Sequence, residues 1–431
     1  MTENVLVLHP VFPDDGKSDR FLKSKKITRS PQACLDEAIG LTAAIHLDVV
    51  GAELINLKKI RPDRLFGKGV IEKISETLDE LNVGLVMVDH ALTPVQQRNL
   101  EKDWNVKVID RTGLILEIFG YRAKTKEGKL QVELAALSFQ KSRLVRSWTH
   151  LERQRGGFGF TGGPGETQIE IDRRLIGERI TRLKKELEHV RRTRGLQRKS
   201  RQKVPYPIVA LVGYTNAGKS TLFNCLTGAE VMAKDLLFAT LDPTMRAIKL
   251  PSGRKVILSD TVGFISDLPT DLIVAFRATL EEIEHAAAIL HVRDISQENT
   301  KVECQDVLKI LNDLGVDEKT DARVFEVLNK TDLLDDENRL ICQNKAMHDE
   351  KTHAVSAITK DGVAGLLQKI DDYLNEQQET LSVDISLTDG KTISWLYEHG
   401  NVLERRDDDE YAHMMVGLDP DDASRFKKKQ A

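Results

Sequence analysis

The sequence lacks the cysteine patterns that mark metal-binding or disulfide-linked proteins. Its four cysteines, Cys34, Cys225, Cys304 and Cys342, show no CxxC spacing and no pairing with histidines. This scatter excludes a zinc motif or a disulfide framework as the basis of the fold. We therefore expect four reduced thiols in apolar cores.

Long apolar runs are also missing. No stretch of about 18 apolar residues occurs, and the opening MTENVLVLHP has no basic stretch followed by an apolar run. Membrane spanning and export are therefore not encoded, and we expect a cytoplasmic protein with no integral membrane segment. A chain of 431 residues, 40% of them hydrophobic and 30% charged, is expected to fold into two to four packed domains.

The modest net charge of −4 conceals a strongly basic segment. Residues 141–203 contain 18 Lys and Arg against 7 Asp and Glu, so the rest of the chain is acidic. A basic module of this size is typical of a protein that contacts nucleic acid.

Residues 1–110 predict a small α/β domain. The apolar runs VLVLHPVF, LDVVGAELI and VGLVMVDH alternate with helical stretches, as expected of buried strands. Where a loop enters a helix, Gly67, Lys68 and Gly69 are compatible with a second nucleotide site or with a plain turn.

Residues 111–203 predict a basic helical hairpin. Apolar positions alternate steps of four and three, which is the spacing of a coiled-coil seam. The first helix carries Leu130, Leu134, Leu137, Lys141, Leu144 and Trp148, with Lys141 as the one polar interruption, and the second carries Ile176, Ile180, Leu183, Leu187 and Val190. Two such helices are expected to pack antiparallel.

The connection between these helices, RQRGGFGFTGGPGETQ, is rich in glycine. Six glycines are interleaved with Phe158 and Phe160 and preceded by Arg153 and Arg155. Close backbone approach, stacking and positive charge together favour contact with RNA, and a flexible linker with solvated flanks is the alternative.

Residues 204–375 predict a further domain, which opens with a phosphate loop. The segment GYTNAGKS matches GxxxxGK[ST] and directly follows the apolar strand PIVALV. Backbone N–H groups of such a loop converge on phosphates, Lys219 reaches the β- and γ-phosphates, and Ser220 is a ligand for Mg²⁺. The predicted loop residues are Gly213, Tyr214, Thr215, Asn216, Ala217, Gly218, Lys219 and Ser220.

Two further segments are expected to respond to the γ-phosphate. The run KVILSDTVGF ends a strand with Asp260 near Mg²⁺ and places the N–H of Gly263 at the γ-phosphate, with Thr261 and Val262 between them. Upstream, the segment Phe238, Ala239, Thr240, Leu241 and Asp242 predicts a mobile loop. Thr240 is our predicted Mg²⁺ ligand there, because FATLDP resembles the switch loop of translation-factor-class GTPases, and Thr244 is the alternative. Lys219, Thr240 and Gly263 are the predicted catalytic residues.

The base-recognition residues follow two later strands. RVFEVLNKTD delivers Asn329, Lys330, Thr331 and Asp332, and HAVSAIT delivers Ser356, Ala357 and Ile358. A carboxylate at Asp332 accepts from guanine N1–H and N2–H₂, whereas adenine would leave it poorly matched. Four motifs in this order predict a site for GTP and GDP.

Phe264 occupies the position where many regulatory GTPases have glutamine. Glutamine orients the attacking water, and phenylalanine has no hydrogen-bonding group. Our hypothesis is that hydrolysis by the chain alone is slow and that a large partner completes the site.

The final segment, residues 376–431, predicts a small α/β domain. ETLSVDIS and EYAHMMVGL read as strands, KTISWLYEHG reads as a helix, and RFKKKQA reads as a solvated tail. The fold class is therefore α/β: a mostly parallel P-loop GTPase domain with an N-terminal α/β domain, a helical hairpin and a C-terminal α/β domain.

These motifs resemble those of the HflX-type ribosome-associated GTPases. The resemblance rests on GGFGFTGGPGETQ, GYTNAGKSTLFN, FATLDPT, DTVGFI, LPTDLIVAFRATLEE and NKTD, and it runs from about Val5 to Leu418. It implies a monomeric, GTP-hydrolysing stress-response factor that acts on the large ribosomal subunit and its RNA and splits or rescues stalled ribosomes. It also implies ATP binding at the N-terminal domain and does not exclude a peripheral membrane pool.

Three other functions remain open at this point. A ribosome-assembly GTPase needs the same nucleotide domain and basic arm. An RNA-remodelling ATPase would use the N-terminal domain and the Gly67 to Gly69 turn. A signalling GTPase is the third, although neither end carries a lipidation motif.

Overall fold

The computed structural model describes residues 3–12, 29–154, 168–201, 206–228, 238, 244–266, 282–317 and 320–430. All structural statements below refer to these residues. No helix among them is long and apolar enough to cross a membrane.

The first part of the chain forms a parallel four-stranded sheet in the order β2-β1-β3-β4. Its strands are β1 (Asn4–Val11), β2 (Asp48–Asn56), β3 (Leu85–Val88) and β4 (Lys107–Asp110), and its helices are α1 (Pro31–Ala43), α2 (Lys68–Glu80) and α3 (Pro94–Trp104). The helices begin where the local chemistry favours a start. Ser30 caps α1, and Thr93 and Gln96 form a reciprocal capping box at α3.

A short helix joins this sheet to the predicted hairpin. Helix α4 (Arg111–Arg122) leads into α5 (Lys126–Gln154), which pairs with α6 (Gln168–Arg201). The predicted seam is present, since Leu130, Leu183 and Leu187 form one buried cluster. The glycine-rich tip, including Arg155, lies outside the described residues, as does the side chain of Arg153.

The second sheet has six strands in the order β10-β9-β8-β5-β7-β6, and only β6 runs antiparallel to its neighbour. The strands are β5 (Ile208–Gly213), β6 (Thr244–Lys249), β7 (Lys255–Asp260), β8 (Ala288–Asp294), β9 (Val324–Asn329) and β10 (Thr352–Ala354). The helices are α7 (Lys219–Thr227), α8 (Thr300–Asp313), α9 (Asp336–His348) and α10 (Val363–Glu376), with a 3₁₀ turn at Thr331–Leu333. The predicted α/β class is therefore confirmed, and all four motifs lie at the same edge of this sheet.

The C-terminal segment contains more structure than the sequence suggested. Three antiparallel strands, β11 (Glu379–Ser386), β12 (Gly400–Asp407) and β13 (Tyr411–Leu418), pack with α11 (Gly390–His399) and α12 (Pro420–Gln430). The predicted tail is helical and not wholly solvated: α12 buries Phe426 against Trp395 with ring centroids 5.9 Å apart, whereas Arg425, Lys427 and Lys428 are exposed. The segment RFKKKQA has one aromatic residue among four basic residues and one glutamine, so its hydrophobic periodicity is too weak to predict a helix.

One apolar cluster extends across the first two sheets. It contains Val5 and Val7 of the first sheet, Phe119 of α4, and Val212 and Phe264 from the second sheet and its phosphate-side loop. The two sheets are therefore joined by packed side chains rather than by a solvated linker. The expectation for the cysteines holds in part, since Cys342 is buried and the half-buried Cys225 packs against the core of the second sheet, whereas Cys34 and Cys304 are only half-buried.

Candidate nucleotide site

The phosphate loop forms the sharp turn between β5 and α7. Gly218 adopts φ +89°, and a Cβ there would lie 2.2 Å from Nδ2 of Asn329. That side-chain nitrogen donates to the carbonyl of Ala217 at 2.9 Å. Only glycine permits this approach, which joins the phosphate loop to the base-recognition motif. Asn216, at φ +60°, is exposed on the turn.

Lys219 lies buried at the start of α7. Its ammonium group donates to the carbonyls of Gly213 at 3.1 Å and Tyr214 at 2.7 Å. Burial lowers the pKa of this group to about 8, and the nearby carboxylate of Asp260 opposes that shift. The side chain is therefore held against its own loop, at the edge where the motifs meet.

A pair of oxygen groups lies beside Lys219. The hydroxyl of Ser220 donates to Oδ2 of Asp260 at 2.7 Å. Hydroxyl and carboxylate oxygens are the hard ligands that Mg²⁺ prefers, so this donor set fits the predicted metal. Thr244, the alternative ligand, pairs with Asp260 across β6 and β7. The predicted ligand Thr240 lies outside the described residues, together with Ala239, Leu241 and Asp242.

The residues after Asp260 lie directly over the phosphate loop. A Cβ at Gly263 would be 3.0 Å from Cγ2 of Thr215 and 3.1 Å from Nζ of Lys219. The N–H of Phe264 donates to the carbonyl of Gly213 at 3.1 Å, and its carbonyl accepts from Thr215 N–H at 2.7 Å. Thr261 and Val262 are buried in this strand end.

The base-recognition residues are fixed by one another. The N–H of Ala357 donates to Oδ1 of Asn329 at 3.1 Å, and the hydroxyl of Ser356 donates to Oδ1 of Asp332 at 2.6 Å. Lys330 adopts φ +65° and forms an ion pair with Asp294 at 2.8 Å. The structure thus brings Asn329 and Ala357 into contact and orients the Asp332 carboxylate. Thr331 is buried beside them, and Ile358 is exposed.

The side chain of Tyr214 points away from this edge, toward the first sheet. It enters a set of buried polar side chains that we call the Tyr214 cluster, which consists of Arg29, Glu37, Asp89, Arg111, Tyr214 and Ser266. The Tyr214 hydroxyl donates to Oε2 of Glu37 at 2.8 Å and accepts from the N–H of Ser266 at 2.9 Å. Burial, with the charge of Glu37, raises the pKa of the Tyr214 phenol well above its usual range, so it stays protonated.

A second contact joins the predicted mobile loop to α4. The ring of Phe238 packs edge-on against Phe119, with centroids 4.8 Å apart and an interplanar angle of 80°. Phe238 is buried at φ +55°, a conformation that an aromatic residue adopts only when its surroundings hold it.

Sequence reasoning missed the members of the Tyr214 cluster outside the phosphate loop. A signal existed for Glu37, which falls on the buried stripe of α1 with Leu41 and Ala38, where an unpaired carboxylate would be costly. Its partners were not evident, since Tyr214 lies 177 residues away.

Four family models match consecutive parts of the chain. They are described as GTP-binding GTPase N-terminal (residues 32–120), GTP-binding GTPase Middle Region (122–201), 50S ribosome-binding GTPase (208–330) and HflX C-terminal domain (341–430).

Curated relatives match nearly the whole chain. The GTPase HflX of Magnetococcus marinus is 50% identical over 396 residues, which cover 92% of this chain and 90% of the relative. The GTPase HflX of Escherichia coli is 44% identical over 364 residues, which cover 84% of each chain. Among solved structures, a GTP-binding protein from Sulfolobus solfataricus in complex with GDP aligns at 23% identity and a TM-score of 0.46, over 87% of this chain and 99% of that one.

Proposed function

Since this chain belongs to the HflX family of GTPases and is a GTP hydrolase, we propose that it binds the large ribosomal subunit and splits or rescues stalled ribosomes. The observation that supports the proposal is that the four predicted nucleotide motifs lie at one edge of the second sheet, in a chain that also has a basic helical hairpin. The description of the matched model as a 50S ribosome-binding GTPase supports the same partner.

We assign the nucleotide chemistry to residues at the edge of the second sheet. Asp332, held by Ser356, reads the guanine edge, and Lys219 holds the β- and γ-phosphates. Ser220 and Thr240 are the proposed ligands of Mg²⁺, which when bound neutralises charge on the phosphates. The N–H of Gly263 is the proposed donor to the γ-phosphate.

The basic hairpin supports RNA as the proposed partner surface. Its described part exposes seven cations distributed around α6: Arg173, Arg174, Arg179, Arg182, Lys184, Lys185 and Arg192. Arg174, Arg182 and Lys185 line one open groove on this helix together with Glu178, and Arg182 also pairs with Glu186 at 3.1 Å. Exposed cations bind the phosphate backbone without reading sequence, which suits ribosomal RNA.

The position of Phe264 supports dependence on a partner. Its side chain is buried in the apolar cluster between the first two sheets, and its backbone is bound to Gly213 and Thr215. It therefore cannot orient a water molecule, and we propose that the ribosome completes the catalytic arrangement.

Several parts of the proposal concern the protein as a whole. We propose a monomeric, cytoplasmic, ribosome-associated stress factor. We divide it at residues 110, 203 and 375 into an N-terminal domain, a hairpin, a GTPase domain and a C-terminal domain.

The test is GTP turnover by the purified chain with and without large subunits, together with gradient sedimentation of intact ribosomes. A ribosome-splitting GTPase is stimulated and converts intact ribosomes into subunits. Stimulation of GTP turnover that leaves the ribosomes intact would favour a ribosome-assembly factor instead. Absence of stimulation would exclude the ribosome as the partner.

A variant of the hairpin tests its share of binding. The double change Arg182→Ala and Lys185→Ala is expected to weaken binding to large subunits and to lower the slope of log affinity against log salt by about 1 to 2. Affinity for GTP without ribosomes is expected to stay unchanged. Arg406→Ala, at a cation 82% exposed on β12, is the control for loss of an exposed cation outside the hairpin. An unchanged slope would show that Arg182 and Lys185 are only exposed to solvent and do not contact RNA.

A second nucleotide site at the N-terminal domain is a separate proposal. Gly67 caps α2, and Lys68, with its side chain 90% exposed, begins that helix. Binding of ATP that survives Lys219→Ala and is lost in Lys68→Ala would support it, along with the RNA-remodelling alternative. ATP binding abolished by Lys219→Ala would contradict it.

A further inference from the structure

We propose that Tyr214 is a positioning residue for the GTPase site. Its phenol holds residues 263–266 against the phosphate loop, and a bound triphosphate must release that contact. Through Glu37, the first sheet therefore sets the preference of the site between GTP and GDP. The inference rests on the phosphate site proposed above and not on the ribosomal partner.

The Tyr214 hydroxyl uses all of its hydrogen-bonding capacity. It donates its proton to Glu37, accepts from Ser266 N–H and from Nη1 of Arg29 at 3.0 Å, and also lies 3.1 Å from the Ser266 hydroxyl. A phenol offers one proton and two lone pairs, so its capacity is filled. The hydroxyl is therefore held in place from both sides, with Ser266 on one side and the first sheet on the other.

Glu37 is itself held in place by buried ion pairs. Its carboxylate lies between Arg29, at 2.5 Å, and Arg111, and Arg111 also pairs with Asp89 at 2.6 Å. All four charges are buried, which makes separation of any pair costly. Glu37 lies on α1, Asp89 follows β3 and Arg111 begins α4, so the carboxylate that holds Tyr214 is fixed to the first sheet.

Lys219 and Gly263 limit the space over the phosphate loop. Lys219 donates to two carbonyls of its own loop, and Gly263 lies so close that a Cβ there would be 3.1 Å from Nζ of Lys219 and 3.0 Å from Cγ2 of Thr215. A γ-phosphate bound by Lys219 and by the N–H of Gly263 requires Lys219 to turn outward and Gly263 to withdraw. The arrangement described here therefore opposes the triphosphate.

Withdrawal of Gly263 from the phosphate loop would also disturb the contact between Ser266 and Tyr214. Gly263 is three residues from Ser266, and Phe264 between them is bound to the loop by two backbone hydrogen bonds. Movement of Gly263 therefore strains the contact between Ser266 and Tyr214. A diphosphate makes no such demand, so the contact discriminates between the two nucleotides.

The experiment compares the full-length protein with Tyr214→Phe, which removes the hydroxyl and keeps the ring. Dissociation constants are measured for GDP and for a non-hydrolysable GTP analogue. The analogue is expected to bind about three- to tenfold tighter, the range that one hydrogen bond is worth, while GDP affinity changes by less than about a factor of two. Tyr121→Phe, at an exposed tyrosine on α4, is the matched control and is expected to change neither constant.

A second variant keeps the inference testable if the first is unstable. Ser266→Ala removes the hydroxyl contacts to Tyr214, Arg29 and Arg111 but keeps the Ser266 N–H, so it is expected to shift the same ratio in the same direction by less. An unchanged ratio, or equal weakening of both nucleotides, overturns the inference alone. Failure of the unaltered protein to bind either nucleotide overturns the phosphate site and this inference together.

Discussion

The two ends of the nucleotide site differ in how they are held. At the base end, Asn329, Ala357, Asp332 and Ser356 bind one another within the second sheet and its loops. At the phosphate end, Tyr214 and its neighbours are bound to residues of the first sheet and of α1 and α4.

From this difference we expect the base end to recognise the nucleotide and the phosphate end to respond to the γ-phosphate. The base end is organised by hydrogen bonds within the second sheet and its loops, so we expect it to recognise the base without contacts from the first sheet. The phosphate end shares its contacts with another domain, so any change there has a reciprocal effect on that domain.

The largest effect is expected from Lys219→Ala, which breaks the phosphate end. The loss of the only lysine of the phosphate loop removes charge stabilisation of the transferring phosphoryl group, and turnover is expected to fall by about 100-fold or more. Single-turnover hydrolysis measures this change. Lys249→Ala, at an exposed residue on β6, controls for loss of positive charge; turnover within about tenfold of normal would refute the assigned role of Lys219.

A smaller effect, confined to the base end, is expected from Asp332→Asn. The amide exchanges an acceptor for a donor, so GTP affinity is expected to fall about 100-fold while xanthosine triphosphate binds better. Competition binding of the two nucleotides measures the exchange.

Asp336→Asn, at the exposed start of α9, is the matched control for that change. Unchanged preference for GTP in Asp332→Asn would contradict the assignment of the base end.

A third effect concerns how the stability of the contact between the two sheets depends on pH. Burial raises the pKa of Glu303 to about 7, and the neighbouring Arg29 guanidinium, 3.4 Å away, opposes the shift. Because the folded-state pKa lies above the unfolded value, this carboxyl stabilises the fold most below about pH 4.5, and the stabilisation is lost as pH rises through 7. The loss amounts to roughly 3 kcal/mol at most.

Glu303→Gln is therefore expected to remove part of the fall in unfolding free energy between pH 5 and pH 8. Urea titrations of both proteins across this range measure it, with Glu298→Gln, at an exposed residue nearby, as the control. Parallel pH profiles for Glu303→Gln and the unaltered protein would contradict the burial of this carboxyl.

The sequence was sufficient for the features that are local in the chain. The phosphate loop, the Asp260 to Gly263 segment and the hairpin seam each follow from residue spacing within a few turns of structure, and the fold class followed from their order. The contacts of Tyr214 with Glu37 and Arg29 join residues more than 170 positions apart, and no spacing rule reaches that far. The helix at Pro420–Gln430 was missed because one buried aromatic residue, Phe426, holds it in place.

Hydrogen exchange in the GDP-bound and GTP-analogue-bound protein tests the contrast between the two ends most directly. We predict that replacement of GDP by the analogue increases hydrogen exchange at residues 264–266, in α1 around Glu37 and at the start of α4, and leaves hydrogen exchange at residues 324–332 and 355–357 unchanged. Changes confined to the second sheet and its loops, with α1 and α4 unaffected, would contradict it.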